Sequence, residues 1–437
     1  MARIERNKYL NQLKNRVNNG MIKIITGLRR VGKSYFLSEI FYDYLISQKV
    51  KSTQIIKFDF SSEVDLRLIG EDYFKLKKEQ RKVDSSKFID FIAKRSNGKG
   101  IYYLLLDEVQ ELESFEYVLN GFLSQRKFDI YVTGSNAKFL SKDVITEFRG
   151  RGDEIHLFPL SFSECWKYYD NDPKEALNKY MVYGGLPIVV LAQNNLDRRK
   201  YIDKQIKETY LADVIERYGS KDEDDLRDLL LFVASATSTL INPKKLAARF
   251  DSIKHSSISE PTIAKYIHHF EDIFLLKKAI RYDVRGTSYI STPYKIYFED
   301  VGIRNGVLEY RQIERTHLME NVIYNELRYR GYSVDVGQVE VRENTINEET
   351  GKNKEIKKFL EADFVANNGD RRYYIQSAYS IDEPEKKEKE IKSLLNIHDS
   401  FKKIVIVNNN LYDGYDQNGI YYLDFYCFLM DENSLEK

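Results

Sequence analysis

The chain has 437 residues, of which 42% are hydrophobic and 31% are charged, and its formal net charge is +1. This balance excludes a disordered chain, and the near-zero charge excludes a global field that would attract nucleic acid or a membrane. One core cannot serve a chain of this length, so we expect about two to four domains.

The amino-terminal text "MARIERNKYLNQLKNR" is polar and charged, which is not typical of a signal peptide. No apolar run approaches the roughly 18–20 residues that cross a bilayer. Two cysteines, Cys165 and Cys427, lack the spacing of a metal site and are typical of idle thiols in a reducing compartment. We therefore expect a cytoplasmic, soluble protein with no membrane partner.

Five short apolar runs near the amino terminus predict buried strands, because they are continuous rather than alternating. The runs are residues 21–26, 54–60, 101–106, 128–133 and 154–160. Helical stretches, among them 34–48 and 87–95, separate several of these runs. This alternation predicts an α/β fold built on a parallel sheet.

The first of these runs continues directly into "GLRRVGKS", which fits the pattern G-x-x-x-x-G-K-[ST]. The glycines let the loop curl so that backbone N–H groups point inward, and the next helix begins with its positive end at the phosphates. Lys33 is expected to reach the β- and γ-phosphates and Ser34 to bind Mg²⁺. Arg29 and Arg30 either contact phosphate or brace the loop against carboxylates. We predict that ATP is bound by Gly27, Leu28, Arg29, Arg30, Val31, Gly32, Lys33, Ser34 and Tyr35.

The third strand ends in "LLLDEVQ", which puts two acidic residues at its carboxyl end. Open α/β sheets bind their ligands at this edge, so Asp107 suits a Mg²⁺ ligand. Glu108 leaves the pleat in the opposite direction and is predicted to act as general base or to orient the attacking water. An ordinary acidic strand end is the plainer interpretation, but it does not account for the position of the pair after a phosphate loop.

Polar residues follow the next strand, in "FDIYVTGSN". Thr133, Ser135 or Asn136 is in position to sense the γ-phosphate or the attacking water, and we favour Ser135 and Asn136. The acidic residue after Asp107 separates ATPases from nucleotide kinases, because kinases need a lid and an acceptor site rather than a base there.

Together with "VTGSNAKFLS", "FRGRGDEIHLFPLSFSE" and "MVYGGLPIVV", these motifs resemble a family of AAA+/STAND-related ATPases of bacteria and archaea. The resemblance implies an amino-terminal P-loop ATPase, a winged helix and a carboxyl-terminal restriction-endonuclease-like domain. With a helical lid after the ATPase, the predicted domains are the P-loop ATPase core (1–165), the lid (166–220), the winged helix (221–300) and the nuclease-like domain (301–437).

Two arginines, Arg149 and Arg151, precede the fifth strand. From chemistry alone each is either a surface or salt-bridged residue or a finger that neutralises charge on the γ-phosphate, in cis or from a neighbouring subunit. The resemblance places an arginine in this "GR" position, which favours Arg151 as the catalytic one.

Residues 222–290 predict helices followed by a hairpin, and Asn242 and Pro243 are typical of a helix start. The apolar positions at helical spacing, which we expect in the core, are Ile263, Ile267, Phe270 and Phe274. This module either places a helix in the major groove of double-stranded DNA or packs between domains to transmit the nucleotide state, and both interpretations stay open. Its basic positions are Lys244, Lys245, Arg249, Lys254, Lys265, His268, His269, Lys277, Lys278, Arg281 and Arg285, interleaved with Asp251, Glu271, Asp272 and Asp283.

The order of elements after residue 305 resembles a restriction-endonuclease-like core. An active member needs an acidic residue on the second strand and Asp/Glu-x-Lys on the third, because carboxylates hold Mg²⁺ and the lysine assists the attacking water. Asp363 fills the first position, with Glu320 in the preceding helix to assist. The third-strand triplet reads Gln376-Ser377-Ala378, however, so we predict a non-catalytic domain that binds nucleic acid or protein or self-associates.

These predictions combine into an ATP-hydrolysing switch, with ATP and Mg²⁺ as cofactors, that couples its nucleotide state to the later domains. The main alternative is a DNA-binding regulator that binds ATP with little hydrolysis. A metal-dependent nuclease is the third and least favoured hypothesis.

Overall fold

The computed structural model describes residues 3–79, 81–134, 148, 150–218, 223–254, 258–346, 353–408 and 413–437. The chain forms two compact units, the first of Met1–Pro159 with Asp272–Phe274 and the second of Leu160–Glu271 with Leu275–Lys437. Each unit is described by itself below.

The first unit contains a five-stranded parallel sheet in the order β2-β3-β4-β1-β5. Its strands are β1 (Ile22–Thr26), β2 (Ile55–Asp59), β3 (Tyr102–Asp107), β4 (Phe128–Thr133) and β5 (Gly152–His156). The predicted parallel α/β sheet is confirmed, with one correction at the fifth strand. This strand ends at His156 and does not continue to residue 160, since Pro159 has no N–H to donate to a ladder.

Helices cover this sheet, and side chains cap several of them. The carboxylates of Asp72 and Asp84 accept from backbone N–H groups in the first turns of two helices. Three consecutive segments, Lys33–Tyr35, Phe36–Phe41 and Tyr42–Ser47, run on from one another after the phosphate loop. The other α-helices in the described part of this unit are Asn7–Lys14, Glu63–Leu68, Tyr73–Lys78, Ser85–Arg95 and Phe115–Ser124, and two short 3-10 helices span Ser52–Gln54 and Val109–Glu111.

A buried ion pair joins two neighbouring strands of the first unit. Lys23 on β1 is fully buried, and its ammonium donates to the carboxylate of Asp129 on β4. The Tyr131 hydroxyl and the Asn18 N–H also donate to Asp129, at 2.7 and 2.9 Å. Burial lowers the pKa of Lys23, so this ammonium depends on its partner to stay charged.

Replacement of Asp129 by Asn is expected to lower the free energy of unfolding by about 3–5 kcal/mol, because it leaves a buried ammonium without its counter-ion. Urea denaturation measures the change. The exposed Asp90 provides the matched control, and Asp90→Asn is expected to change stability by less than about 0.5 kcal/mol. Equal stability of the two variants would contradict this role of the ion pair.

The second unit begins with helices and ends with a mixed sheet. The Asn242 carboxamide accepts from the N–H groups of Lys244 and Lys245, as predicted for a helix start. Its helices are Phe162–Tyr169, Pro173–Tyr183, Pro187–Val190, Asn195–Gln205, Ile206–Tyr210, Leu211–Tyr218, Glu223–Ser235, Pro243–Lys254, Glu260–Asp272, Val301–Val307, Arg315–Tyr329, Pro384–Leu395 and Phe425–Met430.

The sheet of the second unit has eight strands in the order β12-β13-β11-β10-β9-β8-β6-β7. Its strands are β6 (Leu276–Asp283), β7 (Ser288–Phe298), β8 (Ser333–Ile346), β9 (Asn353–Asn368), β10 (Arg371–Ala378), β11 (Lys402–Val407), β12 (Gly414–Tyr415) and β13 (Ile420–Asp424). The pairs β6–β8, β10–β11 and β11–β13 are parallel, and the other neighbours are antiparallel.

A hairpin forms at the position of the predicted wing, but it belongs to this larger sheet. The hairpin of β6 and β7 turns near residue 286, and β6 pairs in parallel with β8 through Arg281–Asp283. The strands before and after residue 300 therefore share one sheet. One predicted core position needs correction, because Phe274 is half-buried and lies beyond the helix that ends at Asp272.

Within the described ranges, no helix has both the length and the apolar character required to cross a membrane. The two cysteines are free thiols, Cys165 buried and Cys427 exposed.

Candidate functional site

The loop between β1 and the next helix curls through backbone conformations that favour glycine. Gly27 has a φ of 136°, and a Cβ at this position would lie 2.2 Å from the carbonyl oxygen of Leu157. Gly32, directly before the helix, has a φ of 94°. The loop therefore requires both glycines of the motif, one for close approach and one for a left-handed turn.

The side chain of Lys33 folds back into this loop. Its ammonium donates to the carbonyl oxygens of Gly27 at 2.9 Å and Leu28 at 3.2 Å, and the residue is 6% exposed. Leu28 and Val31 are buried and anchor the loop, so these two residues present only their backbone to a ligand. The predicted binding residues thus include buried side chains that anchor the loop and exposed side chains, which are those of Arg30, Ser34 and Tyr35.

Three polar side chains meet at the carboxyl edge of the sheet. The carboxylate of Asp107, at the end of β3, accepts from the hydroxyls of Ser34 and Thr133. Burial raises the pKa of Asp107, and these two hydrogen bonds partly oppose the increase. The arrangement joins the loop, β3 and β4, and it provides the hydroxyl and carboxylate oxygens that suit Mg²⁺.

Glu108 adopts a strained backbone conformation at the same edge. Its φ of 49° and ψ of 43° lie in the left-handed region, which costs a non-glycine residue about 1–3 kcal/mol. The carboxamide of Gln110 donates to the Glu108 carboxylate. Strain of this kind at a strand end is a signature of a site where one side chain must be held in a set direction.

Sequence reasoning missed two neighbours of this site. Gln110 contacts Glu108, and Asp59, at the end of β2, stands opposite Asp107 in the sheet register. The available signal for Asp59 was its position after the apolar run "QIIKF", which parallels the position of Asp107 after "YYLLL".

The described residues do not bring every predicted catalytic residue to this site. Ser135, Asn136 and Arg149 fall outside the described residues. Arg151 is exposed and lies directly before β5, where its carbonyl accepts from the Ile22 N–H at 2.8 Å. The phosphate loop follows the other end of β1, about 13 Å away at 3.3 Å per residue. The structure therefore does not bring Arg151 to the loop within this chain.

The basic positions of the second unit do not form one exposed surface. His269 is buried, and Lys277 and Lys278 both form ion pairs with Glu271. Arg281 donates to Gln338 and Arg285 to Glu340, both on β8. The side chain of Lys254 lies outside the described residues, and the exposed basic side chains on the two helices are Lys244, Lys245, Arg249, Lys265 and His268.

A second polar cluster, which we call the Lys295 cluster, lies in the second unit and consists of Lys295, Tyr297, Glu320, Glu361 and Asp363. The structure brings the predicted pair Glu320 and Asp363 together through Lys295, whose ammonium is 2.8 Å and 3.3 Å from their carboxylates. Glu361, also missed from the sequence, is 2.6 Å from the same ammonium. A lysine inside the largely apolar text "YKIYF" was the available signal for this cluster.

The predicted third-strand position is an amide in an ordered network. Gln376 accepts from the Asp363 N–H at 3.3 Å, and the Ser377 N–H donates to the Asp363 carboxylate at 2.9 Å. The Gln376 carboxamide also lies 3.4 Å from Glu390. This network fixes Asp363 by its backbone and by its side chain.

Comparison with known proteins places these features in a family. The profile of a family described as "AAA domain" matches residues 19–166, and a domain of unknown function matches residues 174–314. An uncharacterized protein of Haemophilus influenzae is 33% identical over 420 residues, covering 93% of each chain. This chain belongs to the same family as that protein. Its first unit has the fold of an AAA-type P-loop ATPase.

More distant relatives also match. An uncharacterized protein of Methanocaldococcus jannaschii is 26% identical over 386 residues, 85% of this chain and 77% of that protein. Among solved structures, a Walker-type ATPase of Pyrococcus abyssi matches with a TM-score of 0.48 at 15% identity, over 70% of this chain and 96% of that one. The ORC1 protein of Aeropyrum pernix in complex with DNA matches with a TM-score of 0.32 at 12% identity, over 72% and 94%.

Proposed function

We propose that the first unit binds ATP with Mg²⁺ and hydrolyses it. The observation that carries this proposal is the meeting of Ser34, Asp107 and Thr133 beside a loop that curls around the ammonium of Lys33. These groups come from three separate elements, and their types match those required to hold a triphosphate and its metal ion.

The donor chemistry fits Mg²⁺, which prefers hard oxygen ligands. Ser34 and Asp107 would hold the ion, and their existing hydrogen bond brings the two oxygens together without a further change of fold. When bound, Mg²⁺ neutralises charge on the β- and γ-phosphates. Thr133 then has the role of orienting Asp107, because its hydroxyl donates to that carboxylate.

Glu108 is the residue we propose as general base. Its carboxylate accepts from the Gln110 carboxamide, a contact that limits its directions. A carboxylate held beside a phosphate loop can take the proton of an attacking water, and groups in this role contribute about 10²–10⁴-fold to rate. Ser135 and Asn136 remain the proposed sensors of the γ-phosphate.

Release of phosphate by the full-length protein tests this proposal. We expect turnover with ATP and Mg²⁺, and none when EDTA removes the metal ion. No turnover in any condition would overturn hydrolysis, and tight ATP binding without turnover would support the alternative of a regulator that only binds ATP.

Arg151 is proposed to act from a neighbouring subunit, because the strand β1 separates it from the loop of its own chain. Arg151→Ala is expected to lower kcat by about 10³-fold or more while ATP binding is retained. A mixture of Arg151→Ala with Glu108→Gln chains provides the control, since one partner then supplies the arginine and the other the base. Recovery of turnover in the mixture supports action in trans, whereas wild-type turnover of Arg151→Ala alone would contradict any such role.

Double-stranded DNA is the second candidate partner, as a ligand that the nucleotide state would regulate. It is supported by the exposed side chains Lys244, Lys245 and Lys265 on the two helices before β6. Neutralisation of phosphates by these lysines predicts salt-dependent duplex binding that weakens when they are replaced by Gln. Unchanged affinity for duplex DNA in these variants would eliminate this surface.

Self-association through the second unit is the other proposed interaction. A mass measurement with nucleotide present tests it.

A further inference from the structure

The Lys295 cluster lies where the nuclease resemblance requires a metal ion, yet its residues do not fit one. Among the described residues, no three His, Cys, Asp or Glu side chains are arranged to hold a metal ion. The carboxylates of Glu320, Glu361 and Asp363 instead surround an ammonium, at distances of 2.6 to 3.3 Å.

These three carboxylates come from two elements of the fold. Glu320 belongs to the helix Arg315–Tyr329, whereas Glu361 and Asp363 belong to β9. Lys295 extends to them from β7, although β6 and β8 separate β7 from β9 in the sheet order. The ammonium of Lys295 therefore lies between three carboxylates, which is the position that a bound cation would occupy.

Burial makes this position energetically costly for a charged group that has no partner. Lys295 is 2% exposed, and Glu320 and Asp363 are each 7% exposed. The Tyr297 hydroxyl also donates to Glu320, at 2.7 Å. The ammonium is compensated directly, because it lies within 3.3 Å of an oxygen of each of the three carboxylates.

We infer that Lys295 is the built-in cation of this cluster and that its ammonium excludes a divalent metal ion from the three carboxylates. The reason is electrostatic, because Mg²⁺ or Mn²⁺ at these oxygens would lie within a few ångströms of a fixed positive charge in a buried site. Lys295 therefore does not take over the role of the missing third-strand lysine, which would be to assist metal-dependent catalysis. Lys295 takes the position of the metal ion itself.

This inference predicts that removal of the ammonium creates a metal site. With Mn²⁺ as the probe and nucleotide absent, Lys295→Met is expected to bind one additional ion per chain, about 10-fold or more tightly than wild type binds Mn²⁺ at these carboxylates. The loss of free Mn²⁺ signal in electron paramagnetic resonance measures the binding. Addition of Asp363→Asn to Lys295→Met is expected to abolish the gained site, which separates it from any ion at the phosphate loop.

Two matched variants control for charge and for the substitution itself. Lys295→Arg keeps a cation and is expected to bind no more Mn²⁺ than wild type. Lys277→Met makes the same change at an exposed position on β6 and is expected to behave like wild type. If Lys295→Met does not fold in the absence of metal, then Mn²⁺ is expected to restore its cooperative thermal transition, and failure to do so would overturn the inference.

Two further results would also overturn it. A folded Lys295→Met that binds no more Mn²⁺ than wild type would show that the carboxylates cannot form a metal site. A wild-type protein that binds Mn²⁺ in a way that Asp363→Asn abolishes would show that the ammonium does not exclude the ion, and would restore the nuclease hypothesis. Neither result depends on ATP hydrolysis by the first unit.

Discussion

Glu108→Gln is expected to bind ATP and Mg²⁺ like the wild-type protein and to hydrolyse ATP about 10²–10⁴-fold more slowly. The substitution keeps the size of the side chain and removes only its negative charge, so the loss is assigned to proton transfer. Single-turnover hydrolysis, together with equilibrium binding of a fluorescent ATP analogue, separates the chemical step from nucleotide binding.

Glu113→Gln is the matched control for this experiment. Glu113 is an exposed acidic residue five positions later, and its described hydrogen bonds come from its backbone. The same change from carboxylate to amide at Glu113 is expected to leave turnover unchanged. Wild-type turnover by Glu108→Gln would show that another group activates the water and would end the assignment of Glu108 as base.

Lys33→Ala is expected to lose ATP binding itself, by about 10- to 100-fold, since a hydrogen bond to a charged group contributes roughly 1.5–3 kcal/mol. Its hydrolysis falls with its binding. The physical reason is that the ammonium is the charge at the centre of the loop, bonded to the carbonyl oxygens of Gly27 and Leu28. Isothermal titration with ATP and Mg²⁺ measures the change.

The exposed Lys82 is the control for Lys33, and Lys82→Ala is expected to bind ATP like wild type. Because Lys33 also holds two loop carbonyls, circular dichroism and thermal unfolding must show that Lys33→Ala is folded. Wild-type affinity in a folded Lys33→Ala protein would refute the phosphate loop. The two variants are expected to differ in nucleotide binding, because Glu108→Gln retains ATP whereas Lys33→Ala does not.

Sequence patterns predicted the features that depend on neighbours along the chain. The phosphate loop is one of them, since strand, glycines, lysine and helix follow each other within residues 22–35 and need no distant contact. The cap at Asn242 is another, because a capping side chain bonds to N–H groups two and three residues later. The continuous apolar runs likewise predicted the strands of a sheet covered on both faces.

Contacts between side chains that are distant in sequence could not be predicted from such local patterns. The meeting of Thr133 with Asp107 depends on β4 lying beside β3, which is a matter of strand order. The sequence favoured Ser135 and Asn136 over Thr133, since pleat direction cannot be assigned to one residue without the register. The hairpin 276–298 satisfied the pattern of a wing, and only its pairing with β8 places it in the larger sheet.

The amino-acid sequence by itself determined the phosphate loop, the acidic pair at the end of β3 and the triplet Gln376-Ser377-Ala378 on β10. These features are local, because each is decided by residue types at short spacing. Tertiary structure alone decided the Lys295 cluster, whose ammonium meets Glu320 and Asp363 across 25 and 68 residues of chain. The physical reason is that a buried charge needs an oppositely charged partner, and tertiary packing decides which residue supplies it. That residue can lie at any distance along the chain, so no sequence spacing predicts it.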